Sequence, residues 1–246
     1  MKILIVNDDG VNAIGIRCLA EWAKRLGEVT VVAPKHEQSG KSHAIDFMND
    51  IEIKRVPYIE GVTAYSMDAT PADCVRFGVA GLDDEFDLVL SGINRGWNIG
   101  PEIVYSGTVG AAFEAARLRT KAIAISSYPD EQTDAVKYMD DVWNYFVENG
   151  LFDENLIYNV NFPNDIAKNG HKGVRMTEQG SQYFTDSFVP IGNDLYSQRL
   201  CTTLADECPD DLDRDTVAVQ NGYISVTPLV ATRTNIAVVD KFRSKN

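Results

Sequence analysis

The sequence predicts an α/β fold: a mostly parallel sheet covered by helices on both faces, with a β-rich extension at the C-terminal end. Three observations carry this reading. Strand-length apolar runs alternate with helical patterns through the first 150 residues. The run Ile3-Leu4-Ile5-Val6 shows no polar residue at every second position, as a strand buried on both faces requires. Beyond residue 150 the helical period gives way to short extended segments separated by long polar stretches.

Taken in order, residues 2–7 read as the buried first strand. Residues 13–26 read as an amphipathic helix with Ile16, Leu19, Ala20, Ala23 and Leu26 on one face. Residues 28–34 form a second strand closed by Pro34. A strand–helix–strand unit at this spacing makes the two strands parallel. A polar loop covers 35–44, and short strands are expected near 51–56 and 62–67. Thr70 then supplies a helix cap, with Pro71 at the first helical position and Asp73 in the first turn.

Strand 87–91 runs into a polar, glycine-rich loop over 92–100, and Ser106-Gly107-Thr108 opens a helix near 108–119. Strand 122–126 and a helix over 131–148 complete the alternation. Extended segments follow at 155–162, 173–177, 195–203 and 222–229. The expected division is a metal- and phosphate-binding core over 1–150 and a β-rich extension over 151–246, an oligomerisation arm. The boundary is soft, and 246 residues also fit a single domain.

Charge narrows the partners. With 23 Lys and Arg against 36 Asp and Glu, the net charge is −13. A broad grip on nucleic acid needs a basic face, so no stable nucleic-acid partner is expected. A small phosphorylated ligand stays open, because one metal ion reverses the local field. No apolar run reaches the roughly 18 residues of a membrane span, and the first apolar stretch is too short for a signal-peptide core. Cys18, Cys74, Cys201 and Cys208 form no C-x-x-C pair. They read as buried free thiols in a reducing cytoplasm.

The chemistry collects at the carboxyl ends of the strands, where parallel sheets bind ligands. Asn7-Asp8-Asp9-Gly10 follows the first strand, and Ser39-Gly40 lies after the second. Asn94 and Asn98 follow the 87–91 strand, and Ser106-Gly107-Thr108 begins the next helix. Adjacent carboxylates repel unless a cation or hydrogen bonds stabilise both. A plain helix cap is the simpler reading of Asp-Asp-Gly alone. Joined to Ser39 and Asn94, the two acids make an all-oxygen set suited to Mg²⁺ or Mn²⁺. No Cys or His stands beside them, which argues against zinc.

Ser106-Gly107-Thr108 combines close backbone approach, free N–H groups and two hydroxyls, the ingredients of a phosphate site or of an ordinary cap. Neither a Walker A loop nor a G-x-G-x-x-G fingerprint occurs. His36 and His171 read as loop histidines, and His43 stays open as a substrate or supporting residue. Tyr105, Tyr183 and Phe184 could stack on a base or simply pack. Asp206, Glu207, Asp210, Asp211, Asp213 and Asp215 read as a solvated acidic loop.

The strings ILIVNDDG, VVAP with Gln38-Ser39-Gly40, Thr70-Pro71-Ala72-Asp73-Cys74-Val75, SGINRGWNIG and YSGTVGAA resemble, in order and spacing, the SurE family of survival-protein nucleotidases. NVNFP at 159–163 and GYISVTPL at 222–229 resemble its later motifs. Ala69 and Ala115 stand where the family often has Gly. The resemblance implies a Rossmann-like three-layer α/β/α domain and one divalent ion per subunit, held by Asp8, Asp9, Ser39 and Asn94. It also implies hydrolysis of nucleoside 5′- or 3′-monophosphates, and a homodimer or homotetramer built by exchanged C-terminal elements. On this reading Asp8 orients the attacking water, while Asn98 and the Ser106–Thr108 N–H groups take the phosphate oxygens. An aspartyl-nucleophile phosphatase is the nearest rival, but Asn7 stands where its D-x-D motif needs an acid. A phospho-acceptor signalling domain would need an Asp and a Lys at later strand ends. A non-catalytic nucleotide-binding module differs only in lacking turnover.

Overall fold

The computed structural model describes residues 1–82, 84–181, 184–202, 210–232 and 234–243, with 184 and 200–202 as backbone alone. The first strand, β1 (Lys2–Val6), already sets the layering. Its pleat sends Ile3 and Ile5 to one face and Leu4 and Val6 to the other, and all four are fully buried. The first face packs on Ile16, Leu19, Ala20 and Ala23 of α1 (Ile14–Ala23). The second packs on Cys74 and Val75 of α2 (Pro71–Arg76) and on the alanine-rich side of α3 (Gly107–Arg117). An uninterrupted apolar strand is therefore the consequence of two covered faces.

The remaining core strands are β2 (Glu28–Pro34), β3 (Ile53–Val56), β4 (Val62–Met67), β5 (Leu88–Arg95) and β6 (Lys121–Ser127). β1 lies between β2 and β5, both parallel to it, and β4 and β6 extend the parallel array on either side. β3 closes one edge antiparallel to β4. Thr70 caps α2 as its sequence predicts, its side chain accepting from the Asp73 N–H with Pro71 at the start of the helix. Such a cap contributes about 1 kcal/mol.

Within the first 150 residues three elements differ from expectation, and beyond them the strand Phe184–Gly192 and the helices Asp215–Gln220 and Ile236–Arg243 are not among the expected elements. The first helix stops at Ala23, because the chain turns back at Gly27, where a Cβ would fall 1.9 Å from the Met1 carbonyl oxygen. β5 continues to Arg95 through what reads as a loop. Gly92 adopts φ +146°, its Cα lies against Ile125, and the register shifts before Asn94 pairs with Ser126. The helix expected over 131–148 is split into α4 (Gln132–Ala135), a 3₁₀ turn (Val136–Tyr138) and α5 (Met139–Glu148).

Past residue 150 come the short helix α6 (Leu151–Glu154), β7 (Ile157–Asn161), α7 (Ile166–Asn169) and β8 (Val174–Met176). β9 (Phe184–Gly192), β10 (Leu195–Thr202), α8 (Asp215–Gln220), β11 (Ile224–Leu229) and α9 (Ile236–Arg243) follow. β7 pairs parallel with β6, β11 pairs antiparallel with β7, and β8 pairs with β11. Residue 150 thus does not divide the sheet. Among the described residues one nine-stranded sheet runs β3-β4-β2-β1-β5-β6-β7-β11-β8. Only the β9–β10 ribbon stands outside it. No helix among the described residues is long and apolar enough to cross a membrane.

Candidate active site

Asn7 builds the first turn of the site. Fully buried, it donates from Nδ2 to the Gly10 carbonyl (3.0 Å) and accepts the Gly10 N–H on Oδ1 (3.2 Å). Gly10 sits at φ +101°, which favours glycine. The turn places Asp8 and Asp9 just beyond the end of β1. Asp8 is 4 % exposed, and its carbonyl accepts from the Gln38 N–H at 2.7 Å, tying the turn to the Ser39 loop.

Helix α3 approaches the same point end-on. Ser106 caps it, Oγ accepting from the Val109 N–H at 3.1 Å. A Cβ on Gly107 would fall 3.0 Å from the Asp8 Cβ, so a larger residue would push the helix start away from the carboxylate. The fully buried Thr108 donates its hydroxyl to Asp8 Oδ1 at 2.5 Å. Both hydroxyls of this segment are therefore engaged within the protein. The Val109 N–H is taken by Ser106 Oγ and the Thr108 N–H by the Asp8 carboxylate, so Gly107 supplies the N–H at this helix start that these contacts leave for a phosphate.

On the other side, Asp9 Oδ2 accepts from the Arg95 backbone N–H at 3.2 Å. Asn94 donates from Nδ2 to the Gly96 carbonyl at 2.8 Å. Ser39, on the exposed loop, donates to Glu37 Oε1 at 2.7 Å. Asn98 donates from Nδ2 to Ser126 Oγ (2.8 Å), and its carbonyl accepts from Asn159 and Asn161 (2.8 Å each). The two asparagines of the NVNFP string thus hold the Asn98 loop, a role their residue types alone did not disclose.

These pieces converge on a cavity of about 1170 Å³. Asp8, Ser39, Asn94, Asn98 and Ser106 all line it. Asp9, Gly107 and Thr108 do not line it and stand behind Asp8 and Arg95. Tyr105 lines the mouth, 63 % exposed. Tyr183, Asp206, Glu207 and Cys208 lie outside the described residues, as do the side chains of Phe184 and Cys201. Cys74 is a buried free thiol and Cys18 a half-buried one.

The electrostatics of the acid pair are unusual. Burial pushes the Asp8 carboxyl up, against the Thr108 hydrogen bond that favours its charged form. Burial, and then the charge of Asp8, push Asp9 up to about 6. Neither acid forms an ion pair among the described residues. A divalent cation fits this set: Asp8 lines the cavity together with the neutral oxygen donors of Ser39 and Asn94, and Asp9, next to it in the chain, is likewise short of positive charge. Among the described residues no group of three or more His, Cys, Asp or Glu offers a rival site.

The histidines resolve into structural roles. His43 Nε2 lies 2.8 Å from the buried Glu114, and His171 Nε2 lies 2.9 Å from Asp141. His36 is exposed in its loop. Asp215 corrects the reading of 206–215 as wholly solvated. It is fully buried and accepts from the N–H groups of Gly100 (3.0 Å), Gly180 (2.7 Å) and Thr216 (2.7 Å). Its place at the start of α8 was the available signal, since an acid before an apolar helical run fits a helix start.

A mostly parallel sheet between two helical layers, with its polar cluster beyond the carboxyl ends of the parallel strands, defines a Rossmann-like α/β/α protein with a ligand site at that edge. The family model for Survival protein SurE matches residues 3–186. A 5′-nucleotidase SurE of Acinetobacter baumannii (strain SDF) is 39% identical, with 99% of each chain covered. One of Thermoanaerobacter sp. (strain X514) is also 39% identical, covering 93% of this chain and 92% of its own. The crystal structure of the SurE protein from Aquifex aeolicus superposes with a TM-score of 0.82 at 33% identity, covering 99% of both chains. The chain belongs to the SurE family.

Proposed function

We propose that this chain is a divalent-metal-dependent phosphomonoesterase, a 5′/3′-nucleotidase that releases phosphate from nucleoside 5′- or 3′-monophosphates. The observation that carries the reading is the pair of buried Asp8 and half-buried Asp9, without an ion pair among the described residues and set against the start of α3. Relatives named 5′-nucleotidase SurE, matched over nearly their full length, support the same activity.

Asp8, Asp9, Ser39 and Asn94 would hold one Mg²⁺ or Mn²⁺ per subunit. When bound, such an ion supplies Lewis-acid polarisation of the phosphoryl oxygens and a water activated for attack. Thr108 holds the Asp8 carboxylate in one orientation through the 2.5 Å hydrogen bond. Asp8 in turn orients the attacking water. Asn98 and the Gly107 N–H at the start of α3 take the non-bridging oxygens as charge spreads over them in a loose transition state. Water attacks directly, because Asn7 is an amide and Ser106 Oγ serves as the helix cap.

The subunits assemble as a homodimer or homotetramer. Ile191 and Leu195 on the ribbon and Ile236, Val238 and Phe242 on α9 are each at least half exposed, which supports burial against another copy. The acidic chain acts in the cytoplasm, with no stable nucleic-acid or membrane partner. The test is a screen of phosphate esters with chelator, with Mg²⁺ and with Mn²⁺, followed by single turnover in water enriched in heavy oxygen. The expected result is metal-dependent release of phosphate labelled in the first turnover. Full activity with chelator, or phosphate trapped on Ser106, Asp8 or Asp9, overturns the reading.

A further inference from the structure

The cavity is far larger than one phosphate group needs, and its size suits a ligand of nucleotide scale. Part of its wall comes from the β9–β10 ribbon, which contributes Asp186 and Gln198. In the ribbon register Gln198 faces Phe188 and Leu200 faces Asp186. Alternate residues of a strand share a face, so Asp186 and Gln198 are diagonal neighbours on one face of the ribbon. Both are exposed, and neither side chain makes a hydrogen bond or ion pair among the described residues.

The ribbon is anchored beside the site. Asp215 bonds to Gly100 and to Gly180 at once, and Gln179 Nε2 donates to the Gly100 carbonyl at 2.9 Å. Gly100 begins the 3₁₀ turn Gly100–Tyr105, whose residues Pro101, Glu102, Val104 and Tyr105 line the same cavity. A buried carboxylate thus joins Gly180, ahead of the ribbon in the chain, to the wall of the cleft.

We propose that this ribbon face is the subsite for the nucleoside part of the substrate. It rests on the phosphomonoesterase reading and says what the far part of the cavity selects. Asp186 accepts hydrogen bonds from the hydroxyl or amino donors of a neutral nucleoside. The Gln198 amide both donates and accepts, matching a base edge or sugar hydroxyl. The Asp186 carboxylate also repels a second phosphate at that end, so the site takes monophosphates in preference to nucleoside 3′,5′-bisphosphates.

The test compares kcat/KM for a nucleoside 5′-monophosphate, its 3′,5′-bisphosphate and phenyl phosphate, using the native assembly with saturating Mn²⁺. Asp186→Asn and Gln198→Ala should each lower the ratio of nucleotide to phenyl phosphate about tenfold, the size of one charge-assisted or well-aligned hydrogen bond. Asp186→Lys should narrow the preference for monophosphate over bisphosphate by about tenfold. Binding of the unphosphorylated nucleoside, followed calorimetrically, should weaken in Gln198→Ala and does not depend on turnover. Unchanged ratios, or an equal fall for all three esters, would overturn the subsite. If the wild-type chain turns over none of the esters, the phosphomonoesterase reading fails instead, and the nucleoside titration still decides the subsite.

Discussion

Carboxylates withdrawn from solvent lie at both ends of α3, and the protein treats them in opposite ways. Toward the end of the helix, Glu114 is 3 % exposed and surrounded by basic side chains. His43 lies at 2.8 Å, Arg117 donates at 2.7 Å and Arg76 lies at 3.7 Å. Burial alone would raise its pKa, but the hydrogen bonds from His43 and Arg117 outweigh it and hold the carboxyl down to about 2. At the start of the helix, Asp8 and Asp9 accept from the Thr108 hydroxyl and from backbone N–H groups but form no ion pair among the described residues, and both are pushed up. A buried acid supplied with counter-charges is part of the architecture. One left short of them is a place for a cation to bind.

The contrast breaks most visibly on activity. Asp9→Asn should reduce turnover by at least about 100-fold, beyond the usual cost of losing an outer partner of a metal ligand. It should leave the fold intact and raise the melting temperature of the metal-stripped protein. Glu114→Ala should do the reverse. We expect a loss of about 3 kcal/mol by denaturant unfolding, at the low end for a broken buried pair because Arg117 and Arg76 keep contact with water. Turnover of the folded fraction should change far less than in Asp9→Asn.

The pH dependence should carry opposite signs. Asp9 has a folded pKa of about 6 against an ordinary 3.8. Its contribution to stability is therefore present below about pH 4 and lost as pH rises through about 6. Glu114, held near 2 against an ordinary 4.5, contributes above about pH 4.5 and loses that contribution as pH falls through about 2. Metal-free wild type should thus fall behind Asp9→Asn by up to about 3 kcal/mol between pH 4 and 7, and Mn²⁺ should erase the gap. Unfolding curves across that range that stay parallel would remove the distinction. The smallest effect belongs to Thr108→Val, which frees Asp8 Oδ1 but keeps the helix packed. Turnover should drop about tenfold, with little change in stability.

Much of the first half was legible because its signals are local. The ILIV run, the Thr70-Pro71 cap and the Ser106 cap each report a structure made within a few residues. The candidate site was legible for the same reason, since strand ends carry its polar strings. Long-range facts were not. Thr108 bonds to a residue 100 positions away, so its hydroxyl reads in sequence as a free donor. Asp215 sits among exposed acids in the chain, yet its partners Gly100 and Gly180 come from two other segments. The 184–192 strand carries Asp186 and Pro190 and lacks the apolar alternation that marks β7. Membership of β7, β8 and β11 in the main sheet depends on edges that only the folded chain presents.

On the proposed reading, the Asp8–Asp9 pair takes up a cation that its surroundings leave it lacking. Titration of Mn²⁺ into metal-stripped protein, with free Mn²⁺ followed by electron paramagnetic resonance, tests this most directly. Wild type and Asp9→Asn should be compared at about pH 5.5 and about pH 7.5, on either side of the Asp9 transition. One site per chain is expected, tighter at the higher pH as protons leave the pair, and lost or severely weakened in Asp9→Asn. Binding that is equally tight in Asp9→Asn, or absent from wild type at both pH values, would contradict it.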